Sequence, residues 1–86
     1  MTRLTGGCLC GDVRYEIDGA LDRLTHCHCS MCRRQHGAAF ATYASVPANG
    51  FRFTRGTGLV RRYASSPGVA RTFCERCGST LQWLSE

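Results

Sequence analysis

Lysine is absent from this 86-residue chain, tryptophan occurs once, proline twice, and carboxylates number six. Long apolar runs are missing as well. The most apolar stretch, GAAFATYASV from Gly37 to Val46, is too short to cross a membrane as a helix, and Thr42 and Ser45 interrupt it. The N-terminal segment MTRLTGGCLCGDVRYEIDG has no continuous apolar core and already carries Asp12, Glu16 and Asp18, so it does not read as a secretion signal. A cytoplasmic protein with no membrane partner is expected. Aromatic residues are scarce (Phe40, Phe51, Phe53, Phe73, Tyr15, Tyr43, Tyr63 and Trp83), and at this length only about 60 to 65% of the unfolded surface is buried on folding. The chain reads as a single thin-cored domain over residues 1–86, and scaffolds of this size commonly need a disulfide or metal staple.

Sulfur is what the chain has in excess. An odd count of seven cysteines, grouped at one- and two-residue spacings in a reducing compartment, argues for thiolate metal ligands over disulfides. The formal charge of +5 invites a nucleic-acid reading, but that figure treats every cysteine as neutral. Seven thiolates around two zinc ions would bring it from +5 to +2, because zinc ligands bind deprotonated. All eleven cationic side chains are arginine, whose planar fork suits carboxylates and phosphates, although codon bias is the plainer explanation.

Period-two alternation is the main secondary-structure signal. In Asp12 to Asp18 (DVRYEID), Val13, Tyr15 and Ile17 share one face, as in a half-buried antiparallel strand. Further strands are predicted over Ala39 to Val46, Phe51 to Thr54, Gly58 to Ala64, Val69 to Phe73 and Thr80 to Leu84. Pro47, Gly50, Gly56 and Ser65 to Gly68 separate them as turns. Only Ser30 to His36 looks helical, with Ser30 as N-cap and Gly37 as the stop. The fold class is therefore mainly β, built of small antiparallel sheets, with at most a short helix near residues 30–36.

The outer cysteines form two tight pairs, Cys8 with Cys10 and Cys74 with Cys77, each followed at once by glycine. Zinc knuckles have this form: the turn converges both sulfurs on one ion, and glycine accepts the positive φ that closes it. Together the pairs would complete a closed, structural four-thiolate site tying the first strand to the last. Two independent pairs, or iron in the same geometry, are weaker readings, since a lone pair leaves half the coordination empty. Cys27, Cys29 and Cys32 remain, in the stretch THCHCSMCRRQHG. Three thiolates match a site that keeps one position open, where a soft incoming thiolate would bind well. Spacing leaves a second alternative: His26, His28 or His36 closes the site, with Cys32 and His36 at ordinary ligand spacing. His28, between two cysteines, reads as a surface residue.

Three stretches, GGCLCGDVRY (Gly6 to Tyr15), CHCSMCRRQHGAAF (Cys27 to Phe40) and RTFCERCGSTL (Arg71 to Leu81), together resemble the glutathione-dependent formaldehyde-activating enzyme family, which also includes centromere protein V. Order, internal spacings and the linking FATYA and RRYASS segments all agree. The resemblance implies a β-tent fold of antiparallel sheets stapled by zinc. It assigns Cys8, Cys10, Cys74 and Cys77 to a structural zinc, and Cys27, Cys29 and Cys32 to a second, exposed zinc that accepts the thiol of glutathione. Family members usually continue through further strands after the last cysteine pair. The present sequence stops nine residues after Cys77, so a domain lacking those strands is expected, with a sheet edge and one side of the cleft uncovered. A truncated member, a homodimer that covers its edge, and an inactive zinc-binding protein all fit that expectation. Trp83 and Leu84 are then either interface residues or part of the local core.

Read as an enzyme, the protein is a carbon–sulfur lyase of S-hydroxymethylglutathione synthase type. It would bind glutathione or a similar thiol, lower the thiol pKa by zinc coordination and present the thiolate to formaldehyde or a similar carbonyl. Arg33 and Arg34, beside the cluster, are candidates to bind the two carboxylates of glutathione. No carboxylate lies close in sequence to act as base, which leaves His26 or His36. The alternative is a non-catalytic zinc module for a protein or nucleic-acid partner, using Arg52, Arg55, Arg61 and Arg62 with Phe51, Phe53 and Tyr63. Alternation argues against nucleic acid, since the aromatics of Phe51-Arg52-Phe53 point away from the arginine. Redox sensing by exposed thiolates is weaker still, because zinc protects them.

Overall fold

A computed structural model describes residues 3–19, 21 and 23–85. Eight strands and one short helix are present among them: β1 (Arg3–Gly7), β2 (Arg14–Asp18), β3 (Arg23–Cys27), α1 (Ser30–His36), β4 (Ala41–Ser45), β5 (Phe51–Arg55), β6 (Val60–Ser66), β7 (Val69–Cys74) and β8 (Thr80–Ser85). They form three small antiparallel sheets, in the orders β1-β2-β5, β3-β4 and β6-β7-β8. The mainly β class read from alternation is therefore what the chain adopts, and the strands expected at β2 and β4 to β8 are there with shifted ends. Two strands escape the alternation test. β1 (RLTGG) and β3 (RLTHC) are short and largely exposed, so neither carries an apolar face for periodicity to reveal.

Helix α1 spans Ser30–His36, the residues marked by the sequence, but its N-cap is Cys29 and not Ser30. The Cys29 sulfur accepts the Cys32 backbone N–H at 3.4 Å, so a thiol takes the place of the usual hydroxyl or carboxyl cap. Gly37 closes the helix in the left-handed conformation, its N–H reaching Arg33 O.

Packing follows the pattern of side chains across the sheets. Tyr15 and Ile17 on β2 stand opposite Phe53 and Phe51 on β5, and the Tyr15 ring stacks on Phe51 with centroids 5.0 Å apart. The other face of the same sheet is polar: Arg3 reaches Asp18 at 3.1 Å, Arg52 reaches Asp18 at 3.0 Å, and Arg52 also pairs with Glu16. Within β6-β7-β8, β7 is the middle strand and carries three buried residues, Arg71, Thr72 and Cys74. The interior where the sheets meet is small. Its buried members are Cys8, Val13 and Cys74, with Phe53, Leu59, Val60, Cys77 and Leu81 packed around them.

At Gly56 the backbone of another segment comes close enough to forbid a side chain. Gly56 has φ +76°, and a Cβ built there would lie 2.1 Å from Asp12 O, inside any allowed contact and against backbone that has no rotamer to move. Gly56→Ala should therefore lower stability by about 1–3 kcal/mol or more, the range for a strained left-handed residue before the clash is added. Chemical denaturation of the two proteins would read this, and an unchanged midpoint would mean that the two segments are not in contact.

Candidate metal centres

The two chain-distant cysteine pairs converge. Hydrogen bonds at the first turn run from Cys8 N to Val13 O (3.1 Å) and from Gly11 N to Cys8 O (3.1 Å). At the second they run from Gly78 N to Cys74 O (2.8 Å) and from Cys74 N to Ser79 O (3.0 Å). Gly11 and Gly78 hold φ of +83° and +77°, as the cysteine-pair-then-glycine pattern predicts. The result is four sulfurs, from Cys8, Cys10, Cys74 and Cys77, all within 4.8 Å of one another. Cys8 and Cys10 are 3.5 Å apart and Cys10 and Cys74 3.9 Å. A tetrahedral ion with bonds of about 2.3 Å to sulfur would set its ligands roughly 3.8 Å apart, so the cluster fits such an ion.

Donors around the sulfurs strengthen that fit. Val13 N–H points at Cys8 Sγ (3.3 Å), and the Ser79 hydroxyl lies 3.2 Å from Cys77 Sγ while accepting the Leu9 N–H at 2.9 Å. Ser79 thus ties one cysteine turn to the other. Its hydroxyl is the chief reason that the Cys77 thiol falls to about 5. Cys10 moves the other way: the Asp12 backbone N–H favours its thiolate, but Cys8, burial, Cys77 and Cys74 push it up to about 12. Four crowded sulfurs resist ionising together, and a cation among them removes that resistance.

The second cluster is local. β3 delivers Cys27, the loop after it Cys29, and the first turn of α1 Cys32, and the three sulfurs lie within 4.8 Å of one another. Among the described residues no histidine nitrogen joins them. His36 is kept back by Tyr43, whose hydroxyl lies 3.3 Å from His36 Nε2 and 3.4 Å from Cys32 Sγ. His26 turns to Thr42 Oγ1 at 3.0 Å, and the exposed His28 ring lies against Phe40. Cys27, Cys29, Cys32, Tyr43 and His36 line a cavity of about 1240 Å³ between the sheets, with Tyr15, Ile17, Phe51, Phe53 and Trp83 among its apolar walls. The three thiols therefore border one cavity, Cys32 the most buried of them, with a hydroxyl and an imidazole in line beside Cys32.

Arginines 33 and 34, expected at the cluster, are both exposed on α1, and neither lines that cavity. The arginine at the site is Arg71, which sequence reasoning did not single out. It is 6% exposed. Nη1 donates to Gln35 Oε1 (2.7 Å) and Tyr43 Oη (3.3 Å), Nε donates to Ser65 Oγ (3.1 Å), and both terminal nitrogens lie 3.7 Å from Cys32 Sγ. Burial pushes the Cys32 thiol up, but the Tyr43 hydroxyl, the Cys27 and Cys29 sulfurs and the Arg71 guanidinium together bring it down to about 7. The half-buried Tyr43 hydroxyl is pushed up to about 12, by desolvation first and by Cys32 beside it.

This geometry agrees with comparisons to known proteins. Residues 3–86 match the family described as glutathione-dependent formaldehyde-activating enzyme, and the chain belongs to that family. It is similar to an uncharacterized lyase of Schizosaccharomyces pombe, 30% identical over 81 residues, which make up 94% of this chain and 57% of the relative. The chain thus spans little more than half of that protein's length. A crystal structure of a Rhodobacter sphaeroides protein superposes with a TM-score of 0.78 at 27% identity, covering 93% of this chain and 72% of the other. Among the described residues no helix is long and apolar enough to cross a membrane.

Loss of the Ser79 hydroxyl should weaken the four-cysteine site without removing a ligand. For Ser79→Ala we expect metal affinity there to fall about 10- to 100-fold, the usual effect of removing a group that orients a ligand. Competition with a chromophoric chelator measures this, and an unchanged affinity would show that Ser79 only joins the two turns.

Proposed function

We propose that the chain holds two zinc ions, one in the four-cysteine cluster as a structural staple and one at Cys27, Cys29 and Cys32, where the fourth position receives the thiol of glutathione or a similar small thiol. The observation that carries this reading is the three-sulfur cluster facing the cavity, with His36 held off by Tyr43. A zinc ion bound there would act as a Lewis acid that lowers the thiol pKa. The chain's own residues do the rest. The apolar walls exclude water, Tyr43 and His36 provide a hydrogen-bonded path that takes the S–H proton away, and the cavity admits formaldehyde to the thiolate. A carbon–sulfur bond forms as the carbonyl π pair moves to oxygen, that oxygen takes up a proton, and the product is S-hydroxymethylglutathione. Arg33 and Arg34, solvent-facing on α1, would meet the carboxylates of a thiol whose body extends out of the cavity. Membership of the family and the lyase name of the yeast relative support the same reaction class.

Zinc content by mass spectrometry, with glutathione titrated by calorimetry, tests the proposal on wild type and Cys29→Ser. About two zincs per chain should fall to about one, with glutathione binding lost, because two thiolates do not hold an ion that three do. One zinc in both proteins and no glutathione binding would instead describe a non-catalytic zinc module that binds a partner, and the enzyme reading would be wrong.

A further inference from the structure

Arg71 is unlike the other arginines of the fold. Ion pairs among the described residues engage Arg3, Arg52, Arg55, Arg61 and Arg76, all at the surface with carboxylate partners. Arg71 is buried and has no carboxylate in that set; its partners are three neutral oxygens, from Ser65, Gln35 and Tyr43, and the sulfur of Cys32. A guanidinium taken out of water is costly to keep without a counter-charge. The groups beside it that can supply one are the thiols of the three-cysteine cluster.

We propose that Arg71 is the built-in counter-charge of the three-cysteine site, and that it makes the fourth position selective for anionic ligands, thiolates above all, over neutral ones. The inference rests on the reading that this site takes a thiol in its open position, and it adds the residue that sets the preference. Three thiolates and one divalent ion leave the site with a net charge of about −1. An incoming thiol gives up its proton and delivers a second negative charge, which an isolated cluster of this kind resists. The guanidinium, 3.7 Å from Cys32 Sγ and fixed by Gln35, Ser65 and Tyr43, cancels one of those charges before the ligand arrives. A neutral ligand such as imidazole brings no charge and gains nothing comparable. Arg71 touches no reacting atom, so it is a positioning residue that acts through the charge of the site. Its permanent charge makes it suited to this, and a lysine at the same place would be held protonated by the thiolates beside it.

Cobalt(II)-substituted protein provides the test, because the ligand-field bands of the ion shift with any donor at the open position, and an added thiolate also brings a sulfur-to-cobalt charge-transfer band. Wild type, Arg71→Met, Arg71→Gln and Arg71→Lys are each titrated with 2-mercaptoethanol and, separately, with imidazole. The proposal expects thiol affinity to fall at least about tenfold in the two uncharged variants, imidazole affinity to change less than about twofold, and Arg71→Lys to stay within a few-fold of wild type. Equal losses for both ligands would show that Arg71 only shapes the pocket, and undiminished thiol affinity in either uncharged variant would also overturn the proposal. If neither uncharged variant folds, Arg71→Lys decides: thiol affinity kept supports the charge role, thiol affinity lost contradicts it. Wild type that takes up no thiol would refute the thiol-accepting reading itself, a result distinct from wild type that binds and an Arg71 variant that binds equally well.

Discussion

The fold depends on one convergence of sulfurs. Cys8 and Cys10 follow the end of the first strand, Cys74 ends the seventh with Cys77 just beyond it, and their sulfurs meet although Cys10 and Cys74 are 64 positions apart. Among the described residues five hydrophobic ones are buried, and three of these are cysteines: Cys8, Cys32 and Cys74. In a larger domain the β1-β2-β5 and β6-β7-β8 sheets would be held together by a layer of leucines and phenylalanines. Here little more than Val13 is buried beside the sulfurs, so the apolar contribution is small. An ion at this position would close a loop of most of the chain, and loop closure of that kind acts mainly by restricting the unfolded state.

The two clusters share a ligand type and differ in everything that decides chemistry. The outer cluster is saturated by its own four sulfurs and wrapped by backbone N–H groups and Ser79, which leaves no position for a substrate. The inner cluster has three sulfurs, a cavity in front of them, and a hydroxyl, an imidazole and a buried guanidinium behind Cys32. Tyr43 is central to the difference. By standing between Cys32 and His36 it turns a residue with ordinary ligand spacing into a neighbour that exchanges hydrogen bonds with the site and does not saturate it.

Much of this was legible in the sequence. Cysteine spacing located both clusters, alternation located β2 and β4 to β8, and the span of α1 agrees residue for residue. What escaped has physical reasons. β1 and β3 lie at sheet edges and bury little, so their residues carry no periodic signal. The outward turn of Arg33 and Arg34 was not legible either: they adjoin Cys32 in sequence, and a helix that buries Cys32 turns the next two residues to solvent. Arg71 is 39 residues from Cys32 and looks in sequence like any polar residue of a half-exposed strand. Only the position of β7 in the middle of its sheet, with α1 across from it, brings that side chain inside.

The same strand ends at Cys74, three residues beyond Arg71, and this bears on how the protein is assembled. During synthesis Cys27, Cys29 and Cys32 emerge together, ready to capture an ion while the rest of the chain is still being made. Arg71 emerges later, almost in step with the last two ligands of the outer cluster. An ion caught early at the inner site would be held at first without the guanidinium beside it, in a half-made chain that offers two further thiols at Cys8 and Cys10. The strand that brings Cys74 to the outer cluster also carries Arg71 to the inner one, so on the proposed reading the inner site would reach its full charge balance only when the outer one closes.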